Sequence, residues 1–252
     1  MNRKLLIFLS ILFISTGLYS AIFFNSASSQ YLTCGQTVKN LTEVTISVWV
    51  YHNDITADQY IYIEGTTTNG ILFLRDDVDS TSGRTDCYTV IWGEEPGAGT
   101  ARYASNTNTT PLNRWTHVCV TIKTDNVDGI NMYIDGVVDS ISPISMSGVT
   151  LFTAGTNARI GANATPALFF NGFIDDYRIY NRALSQKEVQ QLAESRSRDV
   201  IIDESLLAWY KMDDGMENIP IAANGVFDWT KKGYNCTGSG SPTYIGSNWV
   251  NR

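Results

Sequence analysis

The chain has 252 residues, a formal net charge of −7, and 43% apolar against 17% charged residues. The acidic balance argues against a nucleic-acid binder, and the apolar share excludes a disordered chain or a coiled coil. Only two histidines, His52 and His117, are present, which leaves little for histidine-based zinc or triad chemistry. Aromatic residues reach 12%, a composition that favours β-structure, and the length suits one large β-domain of roughly 200–250 residues.

Arg3 and Lys4 precede an apolar run from Leu5 to Leu18, and the small residues Ser20 and Ala21 follow. That pattern predicts a secretory signal peptide over residues 1–21. The run is shorter than the roughly 20 residues needed to span a bilayer. A soluble, extracytoplasmic chain with no membrane span after cleavage is expected. Cys34, Cys87, Cys119 and Cys236 make an even number with no C-x-x-C pair, so two disulfides are plausible in an oxidising compartment. Three pairings are possible, and spacing alone does not choose among them.

From Thr42 to Tyr51, Val44, Ile46, Val48 and Val50 fall on one face, the two-residue period of a strand. Tyr60 to Glu64 and Ile71 to Arg75 are two more strands, with Asn69-Gly70 as the turn signal between them. Tyr88 to Trp92 and Trp115 to Lys123 follow. Ile130 to Ile134, Asp135-Gly136 and Val137-Val138 read as a tight hairpin. Ser185 and Glu188 form a capping box, with Leu184 and Val189 as its hydrophobic staple, so one short surface helix is predicted. Ser195 to Ser205 is charged and irregular and reads as a linker. Leu206 to Met212 resumes as a strand, and Gly233 to Gly246 reads as a short strand with loops. The predicted fold class is all-β, an antiparallel sandwich.

Three segments together resemble the laminin-G-like jelly roll of the concanavalin A-like lectin/glucanase superfamily. They are Ala21 to Val50 (AIFFNSASSQYL, then VTISVWV), Asn113 to Asp139 (NRWTHVCVTIKTDNVDGINMYIDGVVD), and Ala158 to Leu192, which contains NGFIDDYRIYNRALSQKEVQQL. The chain departs from the family in segment order. A motif usually found before the first strand resembles Leu206 to Gly215 and Asp228 to Thr237 instead. Either the chain is a tandem array cut after one and a part repeats, or it is one circularly permuted jelly roll. The second reading avoids exposed sheet edges and an unfilled core. It divides the chain into a signal peptide (1–21), a jelly-roll body (22–194), a linker (195–205) and closing strands (206–252). Closure would bring Cys236 toward Cys34, and Cys87 and Cys119 fall on two successive central strands, both opposite the apolar faces set by Val90, Val118 and Val120, so the expected pairs are Cys34–Cys236 and Cys87–Cys119.

The resemblance also implies a structural Ca²⁺. Asp175 matches the best ligand position, then Asp228, with Asn235 and the Gly233 carbonyl as helpers. Lys231 and Lys232 stand where the family often has Gly and Asn. Alternation along Phe173 to Tyr180 would put Asp175 on the core face with Phe173, Tyr177 and Ile179. The carboxylate pair of the glucanases, an E-x-D-x-x-E string, is absent from the sequence, so no catalytic residue is assigned. His117 reads as strand packing, and Asp76-Asp77-Val78-Asp79 as a solvated hairpin loop. Trp92, Tyr103 and Trp229 lie near predicted loops, where a sugar could stack. The expected function is a secreted binding module for carbohydrate on a cell surface or matrix. The alternatives are a structural or adhesive domain with a cell-surface or matrix protein as partner, and a glycan-cleaving enzyme.

Overall fold

The computed structural model describes residues 21–66, 69–94, 101–139, 146, 149, 158–194, 200–213, 221 and 225–245. All but the last residue of the predicted signal peptide and residues 195–199 of the predicted linker lie outside these. The described elements are β1 (Ala21–Phe24), β2 (Tyr31–Cys34), β3 (Glu43–His52), β4 (Gln59–Gly65), β5 (Asn69–Val78), β6 (Thr85–Glu94), β7 (Ala101–Ala104) and β8 (Trp115–Lys123). Then come β9 (Ile130–Ile134), β10 (Val137–Val138), β11 (Ala158–Ile160), β12 (Gly172–Tyr180), α1 (Gln186–Glu194), β13 (Leu206–Tyr210), β14 (Thr237–Ser239) and β15 (Thr243–Ile245).

Two antiparallel sheets form a jelly-roll sandwich. One runs β10-β9-β8-β3-β12-β1-β15, with β13 also paired to β12. The other runs β14-β2-β11-β4-β5-β6-β7. The two-residue period of β3 sends Val44, Ile46, Val48 and Val50 into the space between the sheets, where they meet Ile61, Phe73, Tyr88 and Val90 from the facing sheet. The capping box forms as read. Ser185 N–H and Oγ each lie 2.8 Å from Glu188 Oε2, and Leu184 and Val189 are both buried. The helix covers Cys119, Tyr133, Tyr180 and Trp209 on the outer face of the first sheet.

The strands after the linker belong to both sheets. β13 pairs with β12, β15 with β1, and β14 with β2. One edge of β12 is shared: Gly172 to Ile174 pair with β1, and Tyr177 to Tyr180 with β13. A disulfide joins Cys34 to Cys236, 202 residues apart.

Two expectations are corrected. Cys87 and Cys119 are free thiols. Both do lie opposite the inward faces of their strands, but β6 and β8 belong to different sheets. Their side chains therefore leave the sandwich in opposite directions, which no bridge can span. The second correction concerns β12. Asp176 takes φ 46°, and the register shifts between Asp175 and Arg178. This bulge breaks the alternation. Phe173 and Asp175 sit on the outer face, across from Tyr51 and Trp49, whereas Tyr177 and Ile179 enter the core.

Candidate functional site

The predicted metal loop is ordered by its own hydrogen bonds. Val226 and Cys236 form an isolated antiparallel bridge at its base, directly beside the disulfide. Asp228 is 4% exposed and points inward. Its Oδ1 accepts from Trp209 N–H at 3.2 Å and Thr230 N–H at 3.0 Å, and its Oδ2 from Tyr234 N–H at 3.3 Å. Thr230 Oγ1 lies 2.7 Å from both oxygens. Asn235 Oδ1 accepts from Asp228 N–H at 2.8 Å. Gly233, at φ 93°, makes the left-handed turn that returns the chain toward Asn235.

A carboxylate offers about four lone-pair positions. Four protein donors already take those of Asp228, and the Asn235 oxygen is turned to the backbone. These residues therefore do not fit a cation. They serve as the frame of the loop. Asp175 is fully buried on β12, and its Oδ1 accepts from Asp176 N–H at 2.7 Å.

What the frame presents is aromatic. Phe227 and Trp229 flank Asp228 and are 52% and 46% exposed. No other described Phe, Tyr or Trp is classed as exposed. Trp92 and Tyr103, the other rings singled out in the sequence, lie in the core. Trp229 N–H donates to Trp209 C=O at 2.9 Å, and Thr230 Oγ1 lies 3.1 Å from the Leu207 carbonyl oxygen, so the loop is fixed to β13. Cations and rings then alternate across this surface. The Arg178 guanidinium lies 4.5 Å from the Trp209 ring, Lys211 Nζ 4.3 Å from the same ring, and Lys211 Nζ 4.0 Å from the Trp229 ring. Trp209 Nε1–H and Arg178 both donate to Asp176 Oδ1, at 2.8 and 2.9 Å, which locks the buried end.

Other surfaces offer less. Phe23, Tyr51, Trp115 and Phe173 form an aromatic row on the outer face of the first sheet. Its neighbouring ring planes meet at 39° to 74°, so the rings pack on one another and present no flat platform. Asp58, Asp76 and Asp77 gather oxygens within 4.8 Å. Asp76 is 3% exposed and pairs with Arg102, which also binds Asp79 at 2.5 Å. That stretch is thus more buried and more paired than a solvated hairpin. His117 is fully buried, 2.9 Å from Ser47 Oγ and packed against Trp49, as its strand-packing reading expects.

Among known proteins, a family model described as the concanavalin A-like lectin/glucanases superfamily matches residues 25–190. The chain is 28% identical over 162 residues to the adhesion G-protein coupled receptor V1 of Danio rerio. That match covers 60% of this chain and 2% of the receptor. Among solved structures it resembles a Bacteroides ovatus protein named for carbohydrate binding, with TM-score 0.67 and 16% identity, covering 90% of this chain and 59% of that one. It also resembles the heptameric SAP-like pentraxin of Limulus polyphemus, with TM-score 0.59 and 15% identity, covering 92% and 97%. A third likeness is domain 4 of a Geobacillus stearothermophilus arabinanase in complex with arabinotriose, with TM-score 0.53 and 21% identity, covering 69% and 76%. At these identities the structural likenesses establish the fold.

Proposed function

The chain belongs to the concanavalin A-like lectin/glucanases superfamily, and from that premise we propose a secreted, non-catalytic module that binds carbohydrate through the loop bearing Phe227 and Trp229. One observation carries this reading. The two exposed aromatic rings of the described residues stand on one loop, either side of the buried carboxylate that braces it. A ring fixed in advance loses little freedom when a sugar face stacks on it. A structural neighbour named for carbohydrate binding and an arabinanase domain solved in complex with arabinotriose support the ligand class, and the disulfide supports an oxidising compartment. Binding is favoured over hydrolysis because the loop's own carboxylate, Asp228, is turned inward and saturated, so it is unavailable as acid, base or nucleophile. Among the described residues, no helix is long and apolar enough to cross a membrane.

A glycan array on the full chain, followed by calorimetry on the hits, tests this reading. Trp229→Ala should weaken binding by about 2 kcal/mol, roughly thirtyfold in Kd, with an unchanged melting temperature. A chelator should leave wild-type binding as it was, because the loop needs no cation. Saccharide binding that survives loss of both Phe227 and Trp229 would move the site elsewhere.

A further inference from the structure

We propose that Asn40 is an acceptor for an N-linked oligosaccharide, an assignment that rests on the secreted part of the proposed function and on no property of the aromatic loop. The sequence holds four Asn-x-Thr strings: Asn40-Leu41-Thr42, Asn108-Thr109-Thr110, Asn163-Ala164-Thr165 and Asn235-Cys236-Thr237. Such a string is modified where the chain offers its asparagine amide and its hydroxyl to the transferring enzyme, and where the fold leaves room for a bulky, hydrated chain. The fold separates the four.

Asn40 stands in the turn between β2 and β3. Leu41 N–H donates to Val38 C=O at 3.2 Å, and Asn40 takes φ 62°, a left-handed conformation that asparagine tolerates. The base of the turn is held by the buried Glu64 carboxylate, which accepts from the N–H groups of Thr37, Val38 and Lys39 at 2.7, 3.0 and 2.9 Å. Asn40 and Thr42 are both exposed. Thr42 is anchored through its carbonyl, which accepts from Thr124 N–H at 2.9 Å, so its hydroxyl takes no part in holding the chain. Acceptor amide and hydroxyl thus stand together on a braced turn.

The other strings lack this arrangement. Asn163 is 9% exposed, and its Oδ1 accepts from Ala167 N–H at 2.9 Å within the loop after β11. Asn235 Oδ1 accepts from Asp228 N–H, and the middle residue of its string, Cys236, is buried in the disulfide. Asn108 is exposed, but Thr110 is buried, and Pro111 follows it directly. Proline confines the backbone of the residue before it to extended conformations.

The donor is an oligosaccharide carried on a polyprenyl diphosphate. Asn40 Nδ2 attacks the anomeric carbon of its first sugar. The N–C bond forms as the C–O bond to the diphosphate breaks, and polyprenyl diphosphate leaves with that electron pair. The amide proton passes to a base of the transferase, and nothing is oxidised or reduced. A glycan at Asn40 is rooted outside the aromatic loop, whereas one at Asn235 would be rooted within it.

The test is secretion of the full chain from cells that carry this transferase, followed by peptide mass spectrometry. An amidase that removes N-glycans turns the acceptor asparagine into aspartate, and position 40 should be the one converted. The gel shift on deglycosylation should vanish in Asn40→Gln. It should vanish also in Thr42→Ala, which leaves the left-handed asparagine in place, and persist in Thr42→Ser. A secreted chain unmodified at Asn40, whatever its other strings carry, overturns the assignment and leaves the carbohydrate-binding reading intact. A chain that never enters the secretory route overturns the assignment together with the secreted reading.

Discussion

His52 and Asp58 titrate in the same pH range with opposite consequences for stability. His52 ends β3 on its inner face, fully buried, with Nδ1 3.4 Å from Gln59 Oε1 and Nε2 3.2 Å from Tyr88 Oη. Burial lowers its pKa from 6.5 to about 4, against the Gln59 hydrogen bond and aided by Arg75. The unfolded chain takes up this proton first, so acidification from about 6.5 to 4 favours unfolding. Asp58 is pushed up from 3.8 to about 6, chiefly by burial, with Asp76 and Asp77 adding to the rise. Here the folded chain holds the proton first, so stability is gained as pH falls from about 6 toward 3.8. The two slopes partly cancel. Asp58→Asn should raise the melting temperature at pH 7 and unmask the histidine, so that melting temperature falls more steeply between pH 6 and 4 than in the wild type. Calorimetric scans across that range check it. A mutant curve parallel to the wild type would refute the assignment of Asp58.

The Cys34–Cys236 bridge acts at the level of elements, because it ties β2 to the segment entering β14 at the foot of the aromatic loop. A closed loop of 202 residues carries a large entropy in the unfolded chain. Cys34→Ala with Cys236→Ala should therefore lower stability by about 4 kcal/mol. Denatured wild type should show two free thiols, and native Cys119 should resist alkylation, being fully buried with its pKa pushed up by that burial. Four alkylatable thiols in the unreduced, denatured chain would refute the bridge. Strand and helix identity was legible in the sequence where local chemistry decides it. The two-residue period sets the faces of β3, Asp135-Gly136 sets the β9–β10 turn, and Ser185 with Glu188 sets the start of α1. What escaped depends on contacts across the fold. Alternation misplaced Asp175 because a left-handed Asp176 inserts a bulge into β12. Cys87 and Cys119 resemble partners until their strands are assigned to opposite sheets. Asp228 and Asn235 were legible as important, but their role as a frame was not, since four donors from Trp209, Thr230 and Tyr234 satisfy the carboxylate. Glu64 was read only as the end of a strand. Fully buried, it accepts from the backbone of Thr37, Val38 and Lys39 and from Tyr62 Oη. A buried carboxylate of this kind cannot be inferred from alternation alone.

Across the whole molecule, the segment after residue 205 fills both sheets and the space between them. β13 takes the half of the β12 edge that β1 leaves open, β15 extends β1, and β14 covers β2. Ala208, Tyr210, Met212, Ile221, Val226, Cys236 and Tyr244 all belong to the main core, against residues such as Ile22, Leu32 and Tyr177. Each large buried apolar side chain contributes roughly 1.5–3 kcal/mol, whereas a whole domain is stable by only about 5–15 kcal/mol. Removing this set exceeds what such a fold can lose. It also exposes the edges of β1, β2 and β12 to pairing with other chains. A chain ending at Ser205 should therefore lose its cooperative thermal transition, bind a hydrophobic dye and aggregate, while the intact chain unfolds in one step. If the shortened chain instead melts cooperatively at the full-length midpoint, the strands up to β12 form a complete sandwich, and the C-terminal strands are an appendage that carries the aromatic loop.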